Sequence, residues 1–216
     1  ARNRARVYNW NGSAWTVGST GQTISNHDGL DVLPELGTST RQNVSDVDMN
    51  ASGNLAIVGV SLGGSDTGDN ANAGVVSVYK YTSGTWTQLG SDILGTTVLG
   101  VRDKLGERVS IHGTYTDDNT NDIRVLVSSP QHWRTTSDDD EIGKIDYYKY
   151  DTSTQDWVLQ QTIYGSRHKY KFGMSMSLSE DGSKLAVGSR LKAFVYEYDS
   201  GTDAYVQRTD GELTSA

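Results

Sequence analysis

Met174, Met176 and Leu178 alternate with Ser175, Ser177 and Ser179, which is the period-two signature of a strand with one apolar face. Glu180-Asp-Gly-Ser183 then reads as a tight turn into a second strand, Lys184-Leu-Ala-Val-Gly188, and the two together predict a hairpin. The element recurs as Val47-Asp-Met-Asn-Ala-Ser-Gly-Asn-Leu-Ala-Ile-Val-Gly59, with Gly53 and Gly59 opposite Gly182 and Gly188. A third copy, Leu105-Gly-Glu-Arg-Val-Ser-Ile111 followed by Ile123-Arg-Val-Leu-Val-Ser128, has its turn expanded to 112–122.

A second kind of hairpin lies between these. Arg6-Val-Tyr-Asn-Trp10 through Trp15, Ser77-Val-Tyr-Lys-Tyr81 through Trp86, Asp146-Tyr-Tyr-Lys-Tyr150 through Trp157, and Phe194-Val-Tyr-Glu-Tyr198 through Tyr205 share one pattern. Each is a Tyr- and Val-rich strand, a turn of Gly, Asn, Asp or Ser, and a second strand opening on an aromatic. One repeat is therefore four antiparallel strands, a-b-c-d, which can bury its faces only against neighbouring repeats. No stretch carries sustained 3.6-residue periodicity with a capping signal, so no helix is expected.

The pattern, best kept in Val78-Tyr-Lys-Tyr81 with Trp86-Thr-Gln-Leu-Gly90 and in 172–188, resembles the secreted propeller repeats written roughly as VYxYxxxxWxxLG and FGxSVSLSxDGSxLAVGS, relatives of kelch, WD40 and FG-GAP blades. The resemblance implies an all-β propeller, an extracellular or cell-surface setting, and a scaffolding or binding role with no catalytic residues to carry over. Across the single domain 1–216 the reading gives a c-d hairpin at 5–18, blades at 43–90, 105–162 and 172–208, and a tail at 209–216. That is three and a half blades, whereas closed propellers usually have about 4–8. Three completions are open: a longer chain of which this is one portion, a four-bladed ring whose first blade is only a hairpin, or an arc closed by another subunit. The start at Ala1 rather than Met suggests a processed chain or an excised fragment.

Composition narrows the partners. The 216 residues include 24 Gly, 12 Tyr and 5 Trp but only 2 Pro, the mixture of many short strands joined by Gly-containing turns. A net charge of −8 gives no positive field for a nucleic-acid backbone. No apolar run approaches the roughly 18 residues of a membrane span, so neither nucleic acid nor membrane insertion is expected. With no Cys, disulfides, thiolate metal sites and cysteine nucleophiles are excluded. The sequons at Asn11, Asn43 and Asn50 would permit glycosylation in a secretory pathway.

Candidate chemistry falls mainly on the long d-to-a and b-to-c connections, at 19–42, 60–74, 91–104, 129–143 and 163–171, which share one face and form the expected binding face. His132, Trp133 and Arg134, with Arg167, His168, Lys169 and Tyr170, offer aromatics for stacking on sugar rings and cations for carboxylates. Asp66, Asp69, Asp138, Asp139 and Asp140 carry the hard oxygen ligands that calcium prefers, without the Asp-x-Asp-x-Asp-Gly spacing. No other cofactor is expected. Nucleophile-elbow, His-Glu-x-x-His, Walker and dinucleotide motifs are absent. Asp46, Asp48 and Glu107 are the carboxylates on a-strands that a glycosidase or lyase could use. The expectation is a non-enzymatic extracellular structural or adhesion module that assembles with further blades, with a lectin-like glycan binder or a propeller glycosidase or lyase as alternatives.

Overall fold

The computed structural model describes residues 5–17, 23–24, 44–62, 73–98, 101–116, 122–133, 141–166 and 169–214. Among them there is no helix. The chain opens with β1 (Ala5–Arg6), β2 (Tyr8–Trp10), β3 (Trp15–Val17) and β4 (Thr23–Ile24), where β2 pairs β3 and β1 pairs β4. The first full sheet is β5 (Asp46–Met49), β6 (Leu55–Val60), β7 (Val75–Thr82) and β8 (Thr85–Gln88), with β9 (Ile93–Leu94) also on β7. A small hairpin, β10 (Thr97–Val98) and β11 (Val101–Arg102), follows. The second sheet is β12 (Val109–His112), β13 (Arg124–Ser129), β14 (Lys144–Asp151) and β15 (Asp156–Tyr164). The third is β16 (Ser175–Leu178), β17 (Lys184–Gly188), β18 (Lys192–Asp199) and β19 (Ala204–Thr214).

All three sheets are antiparallel in chain order, as the alternation of a-b and c-d hairpins requires. The outer strand changes register partway along in each. In the second sheet the shift falls between Tyr147 and Tyr148, and in the third between Phe194 and Tyr196. In the first sheet it splits the strand into β8 and β9. This irregularity corrects one sequence boundary. Past the shift, β19 pairs again through Leu213 with Ala193, so most of the expected tail at 209–216 is strand. The connection at 91–104 likewise carries β9, β10 and β11 rather than open loop.

The sheets pack face to face. Leu55, Ile57, Val76 and Val78 of the first meet Val109, Ile111, Val125 and Val127 of the second. The opposite face of the second, with Leu126, Ile145, Tyr147 and Ile163, meets Leu185, Val187, Phe194, Tyr196 and Tyr205 of the third. On the other side of the first sheet, Ala56, Val58, Val60, Tyr79 and Trp86 pack with Ala5 and Val7 of the opening hairpin. Both faces of β6 and β13 are consequently buried.

Hydrogen bonds fix how far each sheet slides on the next. Leu105 donates its N–H to the Ala73 carbonyl (3.0 Å), and Phe172 does the same to Ile142 (2.9 Å). Gly74 (φ +109°) forms a parallel bridge with Leu105 so close that a Cβ would lie 2.1 Å from the Leu105 carbonyl oxygen. Only glycine tolerates both that φ and that approach. At the inner edge, Asp46 Oδ2 accepts the Val109 N–H and Asp48 Oδ2 accepts the Ile111 N–H, each at 3.0 Å. The two carboxylates thus satisfy edge N–H groups of β12 that its own sheet leaves unpaired. Asp46→Ala or Asp48→Ala should each lower stability by about 1–3 kcal/mol, the cost of an unsatisfied part-buried donor. A urea midpoint that does not move for either variant would show that these links carry no stability.

Candidate functional site

The innermost strands β5, β12 and β16 end together, and their turns enclose a groove of about 840 Å³. Its walls include Asp48 and Met49 from the first sheet, Ile111, His112 and Thr114 from the second, and Leu178, Glu180 and Asp181 from the third. That volume is within the usual range for a small-molecule site, and Asp48, His112, Thr114, Ser179, Glu180 and Asp181 make the lining more polar than most.

Each turn is held by its own side chains. Asn50 is buried; its Oδ1 accepts the N–H groups of Asn54 (3.0 Å) and Leu55 (2.9 Å), and its Nδ2 donates to the Gly113 carbonyl (2.7 Å). This ties the first turn to the second. It also corrects Asn50 as a glycosylation position, because its amide nitrogen points into the protein and is already bonded. In the third turn Asp181 Oδ1 accepts the Ser183 N–H (3.0 Å) and the Ser179 hydroxyl (2.6 Å). Gly182 (φ +67°) lies against the His112 ring, where a Cβ would come within 2.5 Å of Cγ.

His112 is the chemically distinctive group of the groove. Its Nδ1 lies 3.1 Å from the Glu180 carbonyl oxygen. A carbonyl can only accept, so Nδ1 carries the proton and Nε2 is left with its lone pair. Burial, followed by the charge of Arg124, holds His112 below the ordinary histidine value, against the opposing Glu180 bond and the charges of Asp122 and Asp181. Arg124 is paired with His112 across β12 and β13. It is buried, 4.1 Å above the Tyr198 ring, with Nη2 3.4 Å from Asp122 Oδ2 and with Nε and Nη1 lacking a hydrogen-bond partner. Burial pushes Asp48 above the usual carboxylate range, opposed by the N–H bonds from Ile111 and Met49 and reinforced by Asp46.

A second polar cluster lies inside the second sheet. Asp103 Oδ1 bonds His132 Nδ1 at 2.9 Å, and Oδ2 accepts the Thr96 hydroxyl at 2.8 Å. Lys144 Nζ lies 3.4 Å from Asp103 Oδ2 and 2.9 Å from Asp146 Oδ2, while Thr162 donates to Asp146 Oδ1 at 2.6 Å. His132, Asp103 and Asp146 are all buried. The structure therefore corrects His132 from a ligand-binding residue on an exposed face to a member of an internal network.

Trp133 is part-buried, and its indole N–H has no partner. Lys169 is exposed with a φ of +59°, and the Tyr170 carbonyl accepts the Arg190 N–H at 2.7 Å. Asn11 lies in an exposed turn, its Oδ1 accepting from Ser13 and Ala14. Arg134, Arg167, His168, Asn43, Asp66, Asp69, Asp138, Asp139 and Asp140 lie outside the described residues, as does most of the expected binding face. Among the described residues, no group of three His, Asp or Glu could hold a metal ion. Asp46 and Asp48 act as links between sheets, and of the two only Asp48 reaches the groove.

No family model matches the chain, and no curated protein matches it in sequence. Solved structures do match in fold. A protein from Bacteroides fragilis assigned as a 6-phosphogluconolactonase is similar with a TM-score of 0.54 and 13% identity, over 96% of this chain and 48% of its own. One from Bacteroides uniformis with the same assignment gives 0.56 and 12%, over 98% and 49%. The periplasmic gluconolactonase of Pseudomonas aeruginosa gives 0.51 and 14%, over 98% and 51%. The fold is β-propeller-like. At this identity the likeness shows the fold alone, and the chain spans about half the length of the structures it matches. The finding overturns the expectation of a non-enzymatic adhesion module, since the matched proteins that share this fold are named as enzymes.

The internal network makes a testable demand. Burial raises the Asp103 pKa, but the His132 bond, the Lys144 charge and the Thr96 bond outweigh it and leave the carboxyl below its ordinary value. A folded pKa below the unfolded value of about 3.9 contributes stability above that pH and loses it as pH falls through the folded pKa. Asp103→Asn should cost about 3–5 kcal/mol at neutral pH, as in breaking a buried ion pair, and should flatten the loss of stability below about pH 4. Denaturation at a series of pH values checks both effects.

Proposed function

We propose that this chain is part of a sugar-lactone hydrolase and that the groove between β5, β12 and β16 is where the lactone binds. The observation that carries the reading is the fold shared, over nearly the whole chain, with proteins named as gluconolactonases. The groove adds chemistry suited to it. Lactone hydrolysis needs a base to take a proton from water as it attacks the ester carbonyl, and an acid to return a proton to the ring oxygen when the C–O bond breaks. His112, neutral at physiological pH and with Nε2 unprotonated, serves as base and, once protonated, as acid. The products balance as one hydroxy acid from one lactone and one water. Asp48 and Glu180 line the same groove as acceptors for sugar hydroxyls.

The lining also bears on the substrate. Among the described residues around the groove there is no Lys or Arg, whereas Asp48, Glu180 and Asp181 bring negative charge. A phosphate group would be repelled there, so the preferred substrate is an uncharged lactone such as gluconolactone rather than its 6-phosphate. This reading keeps the repeat among the secreted type and the protein outside the cytoplasm, in line with the exposed sequon at Asn11.

Titration of acid release in a pH-stat tests the proposal against spontaneous ring opening. The chain should accelerate gluconolactone hydrolysis, and act on it faster than on the 6-phosphate. His112→Gln should lower kcat by about 10²–10⁴-fold, the usual contribution of a general base. Because the His112 pKa lies below 6.5, kcat should stay level at neutral pH and fall as acid protonates the ring. No acceleration of either lactone by the unaltered chain would sink the assignment.

A further inference from the structure

The four c-d hairpins carry one aromatic pair in one geometry. Trp10 pairs with Trp15, Tyr81 with Trp86, Tyr150 with Trp157 and Tyr198 with Tyr205 across their strands. The ring centroids are 5.5, 5.2, 5.3 and 5.4 Å apart. The surroundings of the second ring depend on what precedes it. Trp86, behind the opening hairpin, is 6% exposed, and Tyr205, behind the second sheet, is 1% exposed. Trp157 donates its indole N–H to the Leu89 carbonyl of the sheet before it (3.0 Å). Trp15 is 68% exposed.

The other end of the arc has the complementary property. Ile93 pairs with Val76 and Ile163 with Ile145, and both isoleucines are covered by the following sheet, at 6% and 9% exposure. Leu213 holds the same position opposite Ala193 and is 56% exposed. Around it, Ala186 replaces the fully buried Ile57 and Leu126 of the earlier sheets, and Ala193 replaces Val76 and Ile145. The third sheet is thus shallower at this place than the two before it.

We propose that these surfaces are the two halves of one more sheet-to-sheet interface, and that a second copy of this chain fills it, head to tail. Each half matches contacts already made inside the molecule, with two tryptophans on one side and small residues beside an exposed leucine on the other. Two copies together also reach the length of the propeller-like structures that one copy half covers. A heterologous contact of this kind closes into a ring when the rotation allows it.

Sedimentation and light scattering on the 216-residue chain test this independently of any lactone hydrolysis. The chain should run as a dimer of the 23.5 kDa unit at high micromolar concentration. Trp15→Ser and Leu213→Asp should each give a monomer with unchanged circular dichroism, because both side chains are exposed in the single chain. Mixing the two variants should restore dimers, since the pair retains one intact contact. A monomeric unaltered chain, dimers that survive either substitution, or variants that fail to complement one another would each overturn the proposal.

Discussion

The first and second sheets of this protein are covered on both faces. The inner strands β6 and β13 bury every residue, so half of their apolar side chains look one way and half the other. Each buried Val, Leu or Ile is worth about 1.5–3 kcal/mol over its exposed state, which makes an isolated four-stranded sheet unfavourable in water. Stacking in chain order resolves this, because each repeat presents a following face to the next repeat and a preceding face to the last. Burial alone does not fix the angle or slide of one sheet on another. Directional bonds do so, from Leu105 to Ala73, from Phe172 to Ile142, and from the backbone of β12 to Asp46 and Asp48.

The groove is a by-product of the same stacking. Its walls come from three sheets, and no single repeat contains half of it. Asn50 binding Gly113 and His112 binding Glu180 fasten each turn to the next, so the lining is set by the contacts that hold the sheets together. Such a site is preorganised at no separate cost in ordering. It also couples activity to packing, since Asp48 both lines the groove and satisfies Ile111.

The strands were legible because alternation in 174–188 and the aromatic pairs at Trp15, Trp86 and Trp157 are local signals. The propeller-like fold was legible with them, and only the likeness to proteins named as lactonases was not, since the repeat resembles relatives that bind rather than catalyse. His132 was misplaced because its loop reads as polar surface, while the partner that draws it inward, Asp103, is 29 residues away. Asn50 matched a sequon whose three residues say nothing about the turn that consumes its amide. The groove is not legible in the sequence because Asp48, His112 and Glu180 are dispersed along it. All three lie at or near the a-b turns of their repeats, and stacking the repeats brings those turns together.

Arg124 stands where the first sheet has Leu55 and the third has Lys184, as their pairing with Lys80, Lys149 and Glu197 shows. Its guanidinium rests on Tyr198, and nearby Asp203 accepts from Tyr147 and Tyr198. In the first interface Leu55 shares one apolar cluster with Tyr150, the residue equivalent to Tyr198. Duplicated modules that began alike have therefore become distinguishable, the second sheet carrying a buried cation where the first carries Leu55. The two interfaces thus differ in charge as well as in their place along the chain.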